Sequence, residues 1–242
     1  MKTVCLIVLS IIALMGCSVK RMDNVQSNLP AATQLNYTVN GSEFSYLALG
    51  DSYTIGEAVA TIQSFPHQLA SALYKQDYAV SEPIIVARTG WTTDELIQEI
   101  KVSGVSKKFD IVTLLIGVNN QYRHYDVNTY RSEFVQLLNT ALSYANGNKK
   151  RVFVISIPDW GVTPFAKGQD RNQIAIEIDL YNAINKEESA KLGVNYTDIT
   201  PLSRRAINDL SLIADDGLHP SGSMYALWVQ ELVNKVAENI ND

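Results

Sequence analysis

The chain has 242 residues, 46% of them hydrophobic and 19% charged, with a net charge of −5 at pH 7. That balance describes a folded body with one sizeable core and excludes a disordered chain. The negative charge argues against nucleic acid as a partner, because phosphate binding needs a concentrated basic surface; short clusters such as Lys149-Lys150-Arg151 read as solvated element ends.

In chain order, the first feature is an N-terminal segment. Lys2 supplies a positive start, and residues 4–15 form an apolar run broken only by Ser10. A bilayer span takes about 20 apolar residues, so this run has the length of a signal-peptide core instead. It ends in Leu14-Met15-Gly16-Cys17, which resembles a bacterial lipobox, with Met15 an unusual occupant. The resemblance implies cleavage after Gly16, lipidation of Cys17 and a membrane partner through that anchor. The alternative is an ordinary secretory signal with an incidental cysteine. Ser18 resembles the rule for onward transport to an outer membrane, which implies an exported bacterial envelope protein. Cys5 and Cys17 are the only cysteines, so the body has no disulfide and no cysteine nucleophile. The expected division is a signal over 1–16, a polar tether over 17–42 and one folded domain over 43–242.

The body alternates β-like and helical patterns. Short apolar runs at 44–49, 84–87, 111–116, 152–157 and 194–199 predict five strands. The middle runs are almost continuously apolar, as parallel strands covered on both faces should be. Thr92-Thr93-Asp94-Glu95 fits a capping box opening a helix that buries Leu96, Ile97 and Ile100. Tyr130, Phe134, Leu137, Leu138, Ala141 and Leu142 make one helical stripe. Tyr225, Val229, Leu232, Val233, Val236 and Ile240 make another. Strand–helix alternation of this kind predicts an α/β fold, a three-layer α/β/α sandwich on a parallel sheet of about five strands. Ligands then bind where loops leave the carboxyl ends of the strands.

Those loops carry the chemistry. Gly50-Asp51-Ser52-Tyr53 follows the first strand, Arg88-Thr89-Gly90-Trp91 the second, and Gly117-Val118-Asn119-Asn120 the third. Asp216-Gly217-Leu218-His219-Pro220 precedes the last helix. A serine hydroxyl attacks an ester only with a base beside it. Histidine suits that task near neutral pH, and a carboxylate fixes its tautomer. There are three histidines. His67 sits at a helix start, and His124 lies in a polar aromatic loop as either a substrate contact or a solvated residue. His219 has Asp216 three residues before it, with Asp215 as the rival carboxylate. Each element alone reads equally as a turn or a helix cap; their joint order is the signal.

That constellation resembles the SGNH (GDSL) hydrolase superfamily, from Phe44 to the last helix. The resemblance implies a flavodoxin-like fold, no metal or organic cofactor, Ser52 as nucleophile, and Asp216 with His219 as the Asp-x-x-His pair. It also implies an oxyanion hole from Ser52, Gly90 and Asn119. Two positions depart from the family: Tyr53 replaces the commoner leucine, and Asn120 stands where aspartate is usual. Tyr53, Trp91, Tyr122 and Trp160 are the candidate substrate contacts, or else packing. The implied activity is a serine esterase on acyl or lysophospholipid esters. A carbohydrate acetylesterase and a non-catalytic lipoprotein binding module on the same scaffold are the alternatives.

Overall fold

The computed structural model describes residues 43–240. The signal segment, Cys17 and the tether fall outside the described residues.

Five strands form one sheet: β1 (Tyr46–Asp51), β2 (Ile84–Arg88), β3 (Ile111–Leu115), β4 (Val152–Ile155) and β5 (Asn195–Thr197). Their order is β2-β1-β3-β4-β5 and every pairing is parallel. The helices are α1 (Ser52–Ile55), α2 (Phe65–Tyr74), α3 (Thr93–Val102), α4 (Val118–Tyr122), α5 (Val127–Tyr144), α6 (Arg171–Leu192), α7 (Thr200–Ser203) and α8 (Gly222–Ile240). α2 packs on α8, while α5 lies between α3 and α6 and packs on both. This is the three-layer α/β/α arrangement with flavodoxin-like strand order. After β2 the chain reverses its direction of travel across the sheet. The loops that leave β1 and β3 therefore diverge, and a crevice opens between them.

The core follows the apolar pattern of the sequence. All six residues of β1 and all five of β3 are buried. On α5 the stripe from Tyr130 to Ala141 is buried, with Leu142 half-buried at its edge. On α8 the six predicted residues are buried together with Met224 and Trp228. Each fully buried large side chain contributes roughly 1.5–3 kcal/mol, so these faces hold the layers together. α3 starts where its capping box predicts, with the Thr92 N–H donating to Glu95 Oε2 at 2.9 Å.

Strand ends differ from the hydrophobic runs by a residue or two. β1 begins at Tyr46, not Phe44, because Phe44 makes a separate bridge to Val80 and Ser45 turns its N–H and hydroxyl to Asp110 Oδ2 at 2.9 and 2.8 Å. At its other end β1 continues through Gly50 and Asp51, so the strand delivers Ser52 directly. β4 stops at Ile155; the Ser156 N–H still donates to the Thr197 carbonyl at 3.0 Å, while its hydroxyl bonds Asp198 and Thr200 around the start of α7.

Candidate active site

The turn after β1 is shaped by close approach. A Cβ on Gly50 would stand 2.3 Å from the Leu115 carbonyl oxygen and 2.1 Å from Thr54 Oγ1. Only glycine lets β3 and α1 close in there. The Asp51 carboxylate caps α1 by accepting the Tyr53 N–H at 3.0 Å, which is the helix-capping role open to it from sequence. Asp51 is fully buried and its Oδ2 has no partner. Burial pushes its carboxyl up to about 8, against the opposing pull of the Tyr53 N–H. Ser52 follows, nearly buried, and lines a cavity at the sheet's carboxyl edge.

Two further loops reach the same cavity. Gly90, after β2, has φ +84°, and its carbonyl accepts from Arg123 Nη2 at 2.6 Å. Asn119, on α4, donates from Nδ2 to the Trp91 carbonyl at 2.9 Å. A carbonyl only accepts, so this bond fixes which end of the amide is nitrogen and leaves its second N–H for another acceptor. Gly117 opens α4 at φ +126°, where a Cβ would meet the Tyr130 hydroxyl at 2.5 Å. Asn120 is fully buried. It accepts the Thr93 N–H at 3.1 Å and donates to Thr93 Oγ1 at 2.7 Å. The amide at this departure from the family pattern therefore ties α4 to the first turn of α3, with a donor and an acceptor both used.

His219 stands on a hairpin closed by an Ile213–Pro220 bridge and by the Ala214 N–H donating to the His219 carbonyl at 2.8 Å. Gly217, at φ +74°, makes the tip, and its carbonyl accepts the Phe165 N–H at 2.9 Å. Asp216 folds back on the imidazole. Its Oδ1 accepts the Leu218 and His219 N–H groups, both at 2.9 Å, and its Oδ2 takes the Nδ1 hydrogen at 2.5 Å. Partial burial raises the Asp216 carboxyl, but the His219 ring and the two N–H groups outweigh it and hold the group below its ordinary value. Because a carboxylate accepts only, Nδ1 must carry the hydrogen, which leaves Nε2 of the neutral ring bare as an acceptor. Asp215 makes no such contact; it is exposed. The Tyr53 ring meets the imidazole edge-on, with centroids 5.5 Å apart.

Ser52, Gly90, Asn119 and His219 thus line one cavity of about 150 Å³. Among the described residues no direct hydrogen bond joins Ser52 to His219, a bond that in unliganded enzymes often closes only with substrate. Tyr53, Tyr122 and Trp160 line the cavity; Trp91 does not. Its ring packs on the core half-buried, and only its carbonyl serves the site, through Asn119. Phe165 is a wall residue that the sequence left unmarked. It lies on a turn after β4 with no periodicity, and it meets Trp160 and Tyr122 with centroids 5.9 and 6.2 Å away. The Trp160 indole N–H donates to Gln121 Oε1 at 2.8 Å. His67 is remote from the cavity, held between the Ser64 hydroxyl at 2.8 Å and Glu82 at 2.7 Å. Among the described residues no group of three or more His, Cys, Asp or Glu is placed to hold a metal ion.

A family model described as the GDSL-like Lipase/Acylhydrolase family matches residues 48–227. The chain belongs to that family. It is a hydrolase acting on ester bonds. A search of curated proteins found no match. Among solved structures, this acylhydrolase is similar to the acetylxylan esterase Axe2 from Geobacillus stearothermophilus, at 15% identity over 81% of this chain and 95% of that one, TM-score 0.63. TesA is similar at 14% identity, 79% and 97% coverage and TM-score 0.62. The psychrotrophic esterase EstA from Pseudoalteromonas sp. is similar at 13% identity, 83% and 100% coverage and TM-score 0.61. At such identities the likeness is one of fold.

Two outcomes follow from this geometry. Replacing Asp216 by Asn in the acylhydrolase should lower kcat by about 10³–10⁴, because the amide no longer selects the Nδ1–H tautomer. Asp215→Asn should stay within about twofold of wild type. Ester turnover by the two variants decides the matter, and an active Asp216→Asn would contradict the pairing. The second outcome concerns Asp51. Its carboxyl titrates near 3.8 when unfolded and at about 8 when folded, so between these values the native state holds a proton that the unfolded chain has lost. The contribution is complete below the lower value and disappears as pH rises through the upper one. Denaturant midpoints at pH 5 and pH 8 should drop further in wild type than in Asp51→Asn. Equal drops would overturn the assignment.

Proposed function

We propose that the cavity cleaves short-chain carboxylic esters through an acyl-enzyme on Ser52. The observation that carries this reading is the convergence of Ser52, Gly90, Asn119 and the Asp216-bonded His219 on one small cavity. His219 Nε2 takes the Ser52 hydroxyl proton as Oγ bonds to the ester carbonyl carbon. The tetrahedral oxyanion accepts from the free N–H of Asn119 and the backbone N–H groups of Gly90 and Ser52. His219 then returns the proton to the leaving alcohol oxygen as the C–O bond breaks. Water, deprotonated by the same nitrogen, attacks the acyl-enzyme, and the acid leaves with Ser52 restored. Asp216 stays ionised throughout and stabilises the imidazolium.

The size of the cavity supports a short acyl group. About 150 Å³ is the space of one benzene-sized molecule, and its wall is largely apolar, from Val118, Tyr122, Trp160, Phe165 and Leu218. A long acyl chain would have to leave it across the rims of Tyr122 and Phe165, which are about half exposed. The likeness in fold to an acetylxylan esterase is consistent with this reading. The lipobox-like run ending at Cys17 supports an exported bacterial envelope enzyme on a lipid anchor at the outer membrane. Cys17→Ala should move the protein from the membrane to the soluble fraction, and unchanged membrane fractionation would remove the anchor.

Hydrolysis of p-nitrophenyl esters from acetyl to palmitoyl tests the chemistry. The expected optimum in kcat/KM is at acetyl to butyryl, and an optimum at long chains would overturn the short-acyl reading. In the same assay Asn119→Ala should lower kcat by about 10²–10³, the usual loss for one oxyanion donor. Full turnover by that variant would exclude its amide from the site.

A further inference from the structure

A second cavity, of about 340 Å³, adjoins the first and shares Tyr122 and Trp160 with it as a common wall. Its other lining is polar: His124, Asp170, Gln173 and Glu177 stand around it, with Ile174 as an apolar patch. Neither cavity has a lysine or arginine in its lining.

The polar groups are held by one another. Glu177 accepts from Gln121 Nε2 at 2.7 Å and from Gln173 Nε2 at 2.8 Å, and Gln121 in turn accepts the Trp160 indole N–H. The amide bonds from Gln173 and Gln121 outweigh the opposing effect of partial burial and hold the Glu177 carboxyl below its ordinary range. The relay fixes the Trp160 ring from behind, so the wall between the cavities is rigid. Asp170 spends Oδ1 on the first turn of α6, accepting the Asn172 and Gln173 N–H groups at 3.1 and 3.0 Å. Among the described residues its Oδ2 accepts no hydrogen bond, which leaves it open to a ligand. His124 adopts φ +56°, in the left-handed region that histidine enters more readily than most residues, and its exposed ring stands on the cavity rim.

We propose that this second cavity binds the alcohol part of the substrate, and that this alcohol is an uncharged sugar; the ester cleaved is then an acylated carbohydrate. This rests on the esterase reading of the first cavity. A sugar presents many hydroxyls and apolar C–H faces. The carboxylates of Asp170 and Glu177 accept from hydroxyls, the Gln173 amide and His124 ring donate to their lone pairs, and Tyr122 offers an aromatic surface. A lysophospholipid brings a phosphate instead. Two carboxylates and no lysine or arginine make this cavity repel that group, since phosphate recognition relies on arginine and lysine. Placing the sugar here sets its ester oxygen at the shared aromatic wall, with the acyl group toward Ser52.

The experiment compares three substrates on the purified protein: p-nitrophenyl acetate, an acetylated disaccharide and lysophosphatidylglycerol, whose headgroup carries the phosphate charge with no cation beside it. Wild type should hydrolyse the acetylated disaccharide at least tenfold more efficiently, in kcat/KM, than lysophosphatidylglycerol. The double variant Asp170→Asn, Gln173→Ala keeps the α6 cap through the remaining side-chain oxygen. It should lose tenfold or more in kcat/KM on the disaccharide, mostly through KM, while staying within about twofold on p-nitrophenyl acetate. That second readout also reports folding; if the double variant fails it, Asp170→Asn alone is expected to lose about threefold or more on the disaccharide. Normal p-nitrophenyl acetate turnover with no loss on the disaccharide, or a preference for lysophosphatidylglycerol, would overturn the sugar subsite and leave the esterase reading intact. No turnover of any ester by wild type would instead defeat the esterase reading.

Discussion

The three hydrogen bonds of the Asp216 carboxylate are the constraint on which the site depends. Two of them fold the turn, by collecting the N–H groups of residues 218 and 219, and the third orients the imidazole that the turn carries. One carboxylate therefore sets a backbone shape, a ring orientation and a tautomer together. Spacing makes this possible. With the carboxylate three residues before the histidine and a glycine at the tip, the side chain can reach the ring and the backbone at once. The hairpin is then anchored from outside by the Ile213–Pro220 bridge and the Phe165 N–H.

The sheet does the rest of the positioning. The reversal between β1 and β3 puts the ends of two adjacent central strands at a crevice; β1 runs straight into α1, and β3 reaches α4 through Ile116 and Gly117 alone. Ser52 and Asn119 thus sit on buried, rigid backbone instead of on mobile connections. Gly50 and Gly117 make those abrupt turns possible for a shared reason: a Cβ at either would run into the opposite wall. The price of that tight turn is a fully buried carboxyl at Asp51, kept neutral over much of the working range by its surroundings.

Much of this was legible in the sequence, for physical reasons that differ by element. The sheet and its helices could be read because continuous apolar runs and helical stripes report burial directly, as in β3 and α5. The four loops could be read because the types of residue they need are few, and the Asp216–His219 spacing is short enough to be interpreted locally. Strand ends were less legible. At the strand ends the side chains of Ser45 and Ser156 bond distant partners, Asp110, Asp198 and Thr200, that no local pattern marks. The walls of the cavity were least legible. Trp91 and Trp160 look alike as aromatics in loops that follow strands, yet one packs outside the cavity and the other forms its wall. What separates them is the Gln121–Glu177 relay from α4 to α6, a contact across 56 residues that only the fold brings together. Phe165 escaped notice for the same reason.

The central claim is that the hydroxyl of Ser52 is the nucleophile, activated by the imidazole presented on the hairpin. Reaction with a fluorophosphonate followed by peptide mass mapping tests it directly, because that reagent forms a covalent bond only with an activated serine. The account predicts one adduct per chain, on the peptide carrying Ser52, formed at a rate that collapses in His219→Ala. An adduct on another residue, or undiminished labelling without the imidazole, would contradict it.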